Sequence, residues 1–341
     1  MLSFVNDYSE GAHPAILRRL SETNMEQLPG YGSDHYCASA KDRIRKACGA
    51  PDADVWFLVG GTQTNQNILD AVAPPYAGIL CADNGHINVH EAGAIESTGR
   101  KVLAIPGHDG KLSAADVSRW CEGFFADANH EHMVCPGAVY ISHPTEYGTL
   151  YSAAELEGLS KVCREYHLPL VLDGARLGYG LTAPDADPDL ADIARLTDVF
   201  TIGGTKVGAL FGEAVVFTHT PAPKHFLTMI KRRGALLAKG WLLGLQFDTL
   251  FTDDLYLSIS RHANEEAGKI RAALKAKGYR LANEASTNQI LVTMDHATID
   301  RLSHQVGMGF MLRVDDDHDV MRICTSWATT DEHTDQLIAL L

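Results

Sequence analysis

The sequence predicts an α/β fold in which a mostly parallel central sheet lies between helices. Short apolar runs rich in β-branched residues alternate with helical stretches from about residue 55 to residue 217. Strands of a parallel sheet are buried on both faces and read as continuous apolar runs, whereas the crossover segments read as helices. After Pro223 this alternation ends, and long helical stretches followed by short strands predict a smaller α+β C-terminal domain.

The predicted strands of the large sheet follow one another at the spacing of βαβ units. The first covers residues 55–59 and runs into GGTQTNQNILDAV, which predicts a turn that opens into a helix. Helix starts are expected at Ser152, which has capping-box spacing to Glu155, and at Ser113, which has a similar relation to Asp116. The later strands are expected at residues 79–83, 102–105, 139–142, 170–173, 199–202 and 214–218.

The remainder of the chain predicts the second domain. Helical patterns cover about residues 224–250 and 255–277, and a terminal helix closes the chain. Three further strands are expected at residues 288–294, 310–314 and 320–324. The predicted division is an N-terminal segment that packs with the small domain, a large cofactor-binding domain and a small C-terminal domain, at residues 1–30, 31–250 and 251–341.

Composition excludes several classes of protein. The 341 residues carry 29 Lys and Arg against 43 Asp and Glu, a net charge of −14 without any basic block, which argues against a nucleic-acid partner. No apolar run approaches the roughly 20 residues that cross a bilayer, and the first residues lack the pattern of a secretory leader. The 7 cysteines are odd in number, scattered and without a CxxC pair, which predicts reduced thiols in a cytoplasmic protein.

Three segments place chemistry-bearing residues at the ends of predicted strands. The GGT sequence at residues 60–62 opens a helix, where bare backbone and free N–H groups can hold an anion. Asp173 ends a buried strand, at the edge where open α/β sheets bind ligands. Lys206 follows a buried strand and two glycines, and a buried lysine can attack an aldehyde. Taken singly, each has an ordinary alternative: a tight turn, a helix cap or an Asp173–Arg176 ion pair, and a surface lysine.

Together the three segments fit pyridoxal phosphate. Gly61 and Thr62 would hold its phosphate, and Lys206 would form a Schiff base with its aldehyde. Asp173 would pair with the pyridine nitrogen and keep it protonated, which makes the ring an electron acceptor. The spacing between Asp173 and Lys206 leaves room for a helix and a strand, so both strand ends can border one cleft.

The chain resembles the threonine aldolase family of fold-type-I pyridoxal phosphate enzymes, within the aromatic amino acid β-eliminating lyase group. The resemblance extends over nearly the whole chain. It implies a transferase-like fold and an aldolase that cleaves β-hydroxy-α-amino acids of the threonine or allo-threonine type to glycine and an aldehyde. The segments that carry it are FLVGGT at 57–62, NGHINVHEAGAI at 84–95, LDGAR at 172–176, TK at 205–206 and MRICT at 321–325.

The resemblance also implies roles for single residues. Thr205 joins Lys206 in the cofactor site. His86 matches a histidine that stacks on the cofactor ring and is a candidate base for the substrate β-hydroxyl. Arg176 matches an arginine near the cofactor and the substrate carboxylate, and Arg322 matches the arginine that clamps this carboxylate, a task suited to a planar guanidinium.

The sequence departs from the family pattern where the substrate is expected. Asn6 stands in VNDY, where many members carry RSDT, and by this position the resemblance implies that Asn6 contacts the substrate. Members usually carry a second histidine after the central strand, where this chain reads SHPTEY, and either His143 or Thr145 can take that place. Val207 follows the lysine where glycine is common.

Other functions stay open at this point. A pyridoxal phosphate-dependent β-eliminating lyase that acts on another amino acid would share every cofactor residue, and a catalytically silent cofactor-binding subunit would as well. His86 and His90 are four residues apart and could serve a metallohydrolase, but this reading leaves Asp173 and Lys206 unexplained, so no metal is predicted. The resemblance implies a homodimer or homotetramer with sites at the subunit interface, and no membrane partner is expected.

Overall fold

A computed structural model describes residues 2–341. Its strands are β1 (Leu2–Ser3), β2 (Asp54–Leu58), β3 (Ala77–Ala82), β4 (Lys101–Ile105), β5 (Cys135–Ser142), β6 (Leu170–Asp173), β7 (Val199–Gly203), β8 (Glu213–Phe217), β9 (Arg280–Leu281), β10 (Gln289–Asp295), β11 (Val306–Gly307), β12 (Gly309–Arg313) and β13 (His318–Cys324). Its α-helices are α1 (Pro14–Thr23), α2 (His35–Ala47), α3 (Gly61–Val72), α4 (His86–Val89), α5 (Ala114–Ala126), α6 (Ala153–Glu165), α7 (Leu177–Leu181), α8 (Leu190–Leu196), α9 (Phe226–Arg232), α10 (Trp241–Leu250), α11 (Leu255–Ala276), α12 (His296–Ser303) and α13 (Asp331–Leu340).

The large sheet has seven strands in the order β2-β8-β7-β6-β5-β3-β4. The five strands from β7 to β4 are parallel, whereas β8 runs antiparallel to both β7 and β2. Strands β3, β7 and β8 are buried at every residue, because helices cover both faces of the sheet. The predicted α/β fold with a mostly parallel central sheet is confirmed.

Alternate residues of each central strand pack into different cores. On β6, Leu172 belongs to the core beneath α1, α2, α5 and α6, whereas Val171 belongs to the core beneath α3 and α9. Phe200 and Val199 on β7 divide in the same way. The period of two along a strand thus fills two layers at once.

The helices show one error in the sequence-based expectation. The prediction of a single helix over residues 224–250 is wrong, because this stretch forms two helices: α9 ends at Arg232 and α10 begins at Trp241. Gly234 lies between them with φ of +69°, a left-handed conformation that ends a helix. The capping box of Ser152 and Glu155 at the start of α6 is confirmed, with both reciprocal bonds present. No helix in residues 2–341 has the length and apolar character to cross a bilayer.

A second, antiparallel sheet has the order β12-β13-β10-β9 and packs on the second half of α11. The N-terminal segment contacts both parts of the molecule. Strand β1 pairs with β11 and Phe4 joins the small core, whereas Ile16 on α1 joins the large one. Met1, which opens the predicted segment 1–30, lies outside the described residues, and the domain boundaries at 30 and 250 stay predictions.

Candidate active site

A cavity of about 310 Å³ opens at the carboxyl ends of the parallel strands, where α/β sheets bind their ligands. The cavity brings together residues that are far apart in the sequence. Of the predicted site residues, its lining includes Gly61, Thr62, His86, Thr145, Asp173, Arg176, Thr205 and Lys206. The lining excludes Asn6, His143 and Arg322.

The turn from β2 into α3 forms one end of the cavity. Gly60 is the N-cap of α3 and supplies no capping side chain, so the first amide groups of this 12-residue helix have no side-chain partner there. A Cβ atom placed on Gly60 or Gly61 would meet no atom within 4 Å, which means that open space lies in front of the helix. An anion of phosphate size fits this position, where N–H groups and the helix dipole both favour negative charge.

Asp173 lies at the end of β6 and is almost fully buried. Its Oδ2 accepts hydrogen bonds from Tyr140 Oη at 2.7 Å and Asn65 Nδ2 at 2.8 Å, and its Oδ1 accepts one from the amide of Ala175 at 2.9 Å. Burial raises the pKa of this carboxyl, but the positive charge that His86 carries when protonated and the hydrogen bonds from Tyr140 and Asn65 lower this pKa by a larger amount. The net pKa lies below the ordinary value, so Asp173 is an anion in the cavity at neutral pH.

Lys206 lies in the turn that follows β7, and its Nζ forms no hydrogen bond or ion pair with any residue of 2–341. The Nζ of Lys206 lies 6.0 Å from the centroid of the Tyr8 ring. Burial lowers the pKa of the amine, and the charge of Arg176 lowers it further, against the opposing effects of Asp7 and Asp173. An unpaired amine with a lowered pKa is suited to covalent bonding with an aldehyde.

Thr205 links the lysine turn to a residue that the sequence did not single out. Its hydroxyl accepts a hydrogen bond from the amide of Gly212 at 3.0 Å and donates one to Glu213 Oε1 at 2.9 Å. Glu213 is the first residue of β8 and lines the cavity. Burial raises the pKa of Glu213 to about 8, against the lowering effects of Thr205 and Lys206. Glu213 therefore carries a proton at neutral pH.

His86 begins α4 and is held by a buried carboxylate. Its Nδ1 lies 2.7 Å from Oε1 of Glu91, whose side chain is 0% exposed. Burial lowers the pKa of His86, but the bond to Glu91 and the charge of Asp173 raise it, and the net pKa lies above the ordinary value. The His90 ring is 5.7 Å from that of His86, and residues 2–341 contain no group of three or more His, Cys, Asp or Glu arranged to hold a metal.

Arg176 forms an ion pair with Asp7 on the N-terminal segment. Its Nε and Nη2 donate to the two carboxylate oxygens of Asp7 at 2.7 and 2.9 Å. Asn288 Nδ2 donates to the same carboxylate at 2.9 Å, and Asp7 is fully buried. Burial raises the pKa of Asp7, but the charges of Arg176 and Lys206 lower it below its ordinary value. Nη1 of Arg176 has no hydrogen-bond partner in residues 2–341, and the contact of Arg176 with cofactor or substrate stays a prediction.

Asn6 and His143 are placed away from the cavity. Asn6 Oδ1 accepts from the amide of Tyr8 at 3.0 Å and from Ser9 Oγ at 2.9 Å, which closes a local turn. Tyr8, rather than Asn6, lines the cavity. His143 is 1% exposed and accepts a hydrogen bond at Nδ1 from the amide of Tyr151. Burial lowers the pKa of His143 to about 4, so this imidazole is neutral and shielded.

Thr145 and Arg322 complete the predicted substrate contacts. Thr145 lines the cavity, and its Oγ1 lies 2.6 Å from Oγ1 of Thr149. Of the two alternatives left open by the sequence, the structure therefore places Thr145 at the cavity. Arg322 lies on β13, where Nη2 donates to the carbonyl of Val5 at 3.3 Å and Nε is buried without a partner. The substrate roles of these residues stay predictions.

The donor set fits pyridoxal phosphate. The open start of α3 suits a phosphate, the anionic Asp173 suits a protonated ring nitrogen, and the unpaired amine of Lys206 suits an aldehyde. All three border the same cavity.

Comparison with known proteins agrees with this arrangement. The family model for beta-eliminating lyases matches residues 6–297. The low-specificity L-threonine aldolase of Pseudomonas aeruginosa is 29% identical over 303 residues, covering 88% of this chain and 86% of the relative. The structure of a threonine aldolase of Leishmania major has a TM-score of 0.96 at 44% identity, covering 100% of this chain and 98% of that chain.

More distant structures share the fold alone. An aspartate aminotransferase from Thermus thermophilus has a TM-score of 0.71 at 14% identity, covering 100% of this chain and 90% of that chain. These likenesses confirm the fold-type-I, transferase-like architecture. The extent of the family match and the identity to the Leishmania protein lead to one assignment. The chain belongs to the beta-eliminating lyase family and, within it, to the threonine aldolases.

Proposed function

We propose that this protein is a pyridoxal phosphate-dependent aldolase that cleaves β-hydroxy-α-amino acids of the threonine or allo-threonine type to glycine and an aldehyde. Membership of the threonine aldolases supports this function. The observation that carries it is the unpaired amine of Lys206 on the same cavity as the anionic Asp173.

The residues of the cavity divide the binding of the cofactor among them. Gly61 and Thr62 hold the phosphate at the start of α3, Lys206 is the point of covalent attachment, and Thr205 fixes the turn that carries it. Asp173 holds a proton on the ring nitrogen. When bound, pyridoxal phosphate supplies a ring that accepts the electron pair left by cleavage of the Cα–Cβ bond.

Other residues handle the substrate. Arg322, with its unpartnered Nε, and the free Nη1 of Arg176 are the guanidinium groups that bind the α-carboxylate. His86 lines the cavity, its second ring nitrogen accepts the proton of the β-hydroxyl, and Thr145 orients that hydroxyl. Removal of this proton allows the β-carbon to leave as an aldehyde.

A product assay on a panel of β-hydroxy-α-amino acids, with both epimers of each, tests this function. We expect equal amounts of glycine and aldehyde from threonine or allo-threonine, and no products from the Lys206→Ala variant. A β-eliminating lyase would instead release ammonia and a 2-oxo acid. Ammonia in the absence of glycine would replace the proposed function with that alternative.

We also propose a homodimer or homotetramer with sites at the subunit interface, in a cytoplasmic location. Tyr8 is 52% exposed although it lines the cavity, which supports a partner surface at the mouth of the site. The 7 cysteines are all free, which supports a reducing compartment. Sedimentation at several protein concentrations tests the assembly, and a monomer at all of them would contradict it.

A further inference from the structure

Glu91, the hydrogen-bond partner of His86, is not among the residues proposed to bind the cofactor or the substrate. Glu91 follows α4, and its side chain is 0% exposed. Its Oε1 lies 2.7 Å from Nδ1 of His86 and also accepts a hydrogen bond from Asn65 Nδ2 at 2.8 Å. The same Asn65 nitrogen donates to Asp173 Oδ2 at 2.8 Å. The side-chain amide of Asn65 is thus hydrogen-bonded to both carboxylates, that of Glu91 and that of Asp173.

This arrangement fixes the imidazole. Oε1 of Glu91 belongs to a carboxylate and can only accept hydrogen bonds. Its bond to His86 therefore requires a proton on Nδ1 of the imidazole. Nε2 is then the acceptor nitrogen, and it forms no hydrogen bond with any residue of 2–341. The other oxygen of Glu91, Oε2, is buried without a hydrogen-bond partner. Among the described residues, His86 is therefore the one ion-pair partner of the Glu91 carboxylate. A second ring nitrogen oriented by a carboxylate is the arrangement that general-base histidines use.

We propose that Glu91 is the positioning residue of His86, holding the Nδ1 proton so that Nε2 faces the cavity as the atom that takes the proton of the substrate β-hydroxyl. This inference rests on the proposed aldolase function. In the step, the O–H bond of the substrate breaks, an Nε2–H bond forms, and the electron pair stays on oxygen. The imidazole becomes a cation, and the buried charge of Glu91 stabilises it.

The surroundings of His86 bear on any titration. Its backbone amide donates to Glu146 at 3.1 Å, and the His90 ring lies beside its own. The bond to Glu91 is the largest of the effects that raise the pKa of His86 against burial, and Lys206 acts in the opposite direction. The charged and titratable groups that face His86 are Glu91, His90, Glu146, Asp173 and Lys206.

Nuclear magnetic resonance of histidine ring protons in the holoenzyme tests the proposal, with the His86 signal assigned by its absence from His86→Asn. Glu91→Gln keeps the size of the side chain and removes the charge. Its His86 titration midpoint should fall by about one pH unit or more. Its kcat should fall about tenfold to a hundredfold, with little change in KM and in bound cofactor, and the acidic limb of the kcat profile should move to lower pH.

Two further variants separate this role from a structural one. Asp315→Asn removes the partner of His318 at an exposed turn, where Nδ1 and Oδ1 are 2.9 Å apart, and should lower the midpoint of His318 without changing kcat. Glu91→Asp retains the charge and should restore the His86 midpoint toward the wild-type value. If Glu91→Gln does not fold, the Glu91→Asp variant decides, since a wild-type His86 midpoint combined with a tenfold or larger loss of kcat in that variant would overturn the proposal.

The outcomes against the proposal are distinct. An unchanged His86 midpoint in Glu91→Gln would overturn it, and so would a loss of bound cofactor in proportion to the loss of kcat. Failure of the aldolase function appears differently, since wild-type protein would then give no glycine while the His86 midpoint still moved in Glu91→Gln.

Discussion

Asp7 and Arg176 lie 169 residues apart in the chain and form a two-bond ion pair, with Nε to Oδ2 at 2.7 Å and Nη2 to Oδ1 at 2.9 Å. Asp7 is 0% exposed, and its partner is the residue that precedes α7. The pair therefore fastens the N-terminal segment over the end of β6, beside the cavity.

Removal of this ion pair should destabilise the protein strongly. Asp7→Asn leaves the half-buried Arg176 guanidinium without a counter-charge, and the free energy of unfolding should fall by about 3–5 kcal/mol. Urea denaturation measures the change. Glu284→Gln, which removes the exposed partner of Lys275, is the control and should cost about 1 kcal/mol or less. Equal effects of the two substitutions would show that the Asp7 pair adds nothing beyond a surface contact.

Lys206→Ala should abolish both the absorption band of bound cofactor and turnover, because no other amine on the cavity can replace it. Borohydride reduction of the wild-type protein, followed by peptide mass analysis, should place the label on Lys206. The exposed Lys101 on β4 is the control, and Lys101→Ala should keep band and activity. A label on a different lysine would contradict the assignment.

Asp173→Asn should retain bound cofactor but lose about 10²- to 10³-fold in kcat, because the amide keeps the size of the side chain and loses the charge that holds the ring nitrogen protonated. Absorbance per chain and steady-state kinetics measure the two properties. Wild-type kcat in a variant with full cofactor content would refute the role of Asp173.

Glu213→Gln should change how stability depends on pH. Burial raises the pKa of Glu213 to about 8 in the folded protein, whereas in the unfolded chain this carboxyl has its ordinary pKa. Between these two pKa values the folded protein keeps a proton on Glu213 that the unfolded chain has released. The wild-type protein therefore loses stability as pH rises toward 8, whereas the variant lacks this loss. The stability of Glu213→Gln relative to wild type should increase by a few kcal/mol between pH 5 and pH 8. A constant difference across this range would argue against a buried neutral carboxyl.

Arg322→Lys should retain cofactor and raise KM for the amino acid, because an ammonium group cannot reproduce the two-bond fork of a guanidinium. The expected increase in KM is about tenfold or more, which corresponds to about 1.4 kcal/mol or more of binding. Spectroscopic titration with the amino-acid substrate provides an independent affinity. An unchanged affinity would remove Arg322 from the substrate site.

The parts of the site that the sequence predicts follow from local rules. Gly61, Asp173 and Lys206 each come at the carboxyl end of a recognisable strand, and in a parallel sheet these ends meet at one edge. Glu213 breaks this rule. It is the first residue of a strand, yet β8 is antiparallel to β7 and its register pairs Glu213 with Gly203 at the same edge. Strand direction is not visible in an apolar run, so this residue could not be placed in the site from sequence.

Long-range pairs were hidden for a related reason. Nothing near Asp7 indicates a partner 169 residues away, and the interpretation of Asn6 as a substrate contact depended on position alone. His143 is a residue type that often acts as a base, but its burial follows from packing that no short motif indicates. The break between α9 and α10 is indicated only by two glycines, Gly234 and Gly240, in a stretch whose composition favours helix.

Helix α11 packs in both the core of the large sheet and the core of the small sheet. Its first half contributes Tyr256 and Ile259 to the core of the large sheet, and its second half contributes Ile270 and Leu274 to the core that carries β13. A rotation of the small sheet must therefore bend or slide this 22-residue rod, and Arg322 on β13 would travel with it. The stiffness of this helix therefore limits how far Arg322, the residue proposed to bind the carboxylate, can move relative to the cavity.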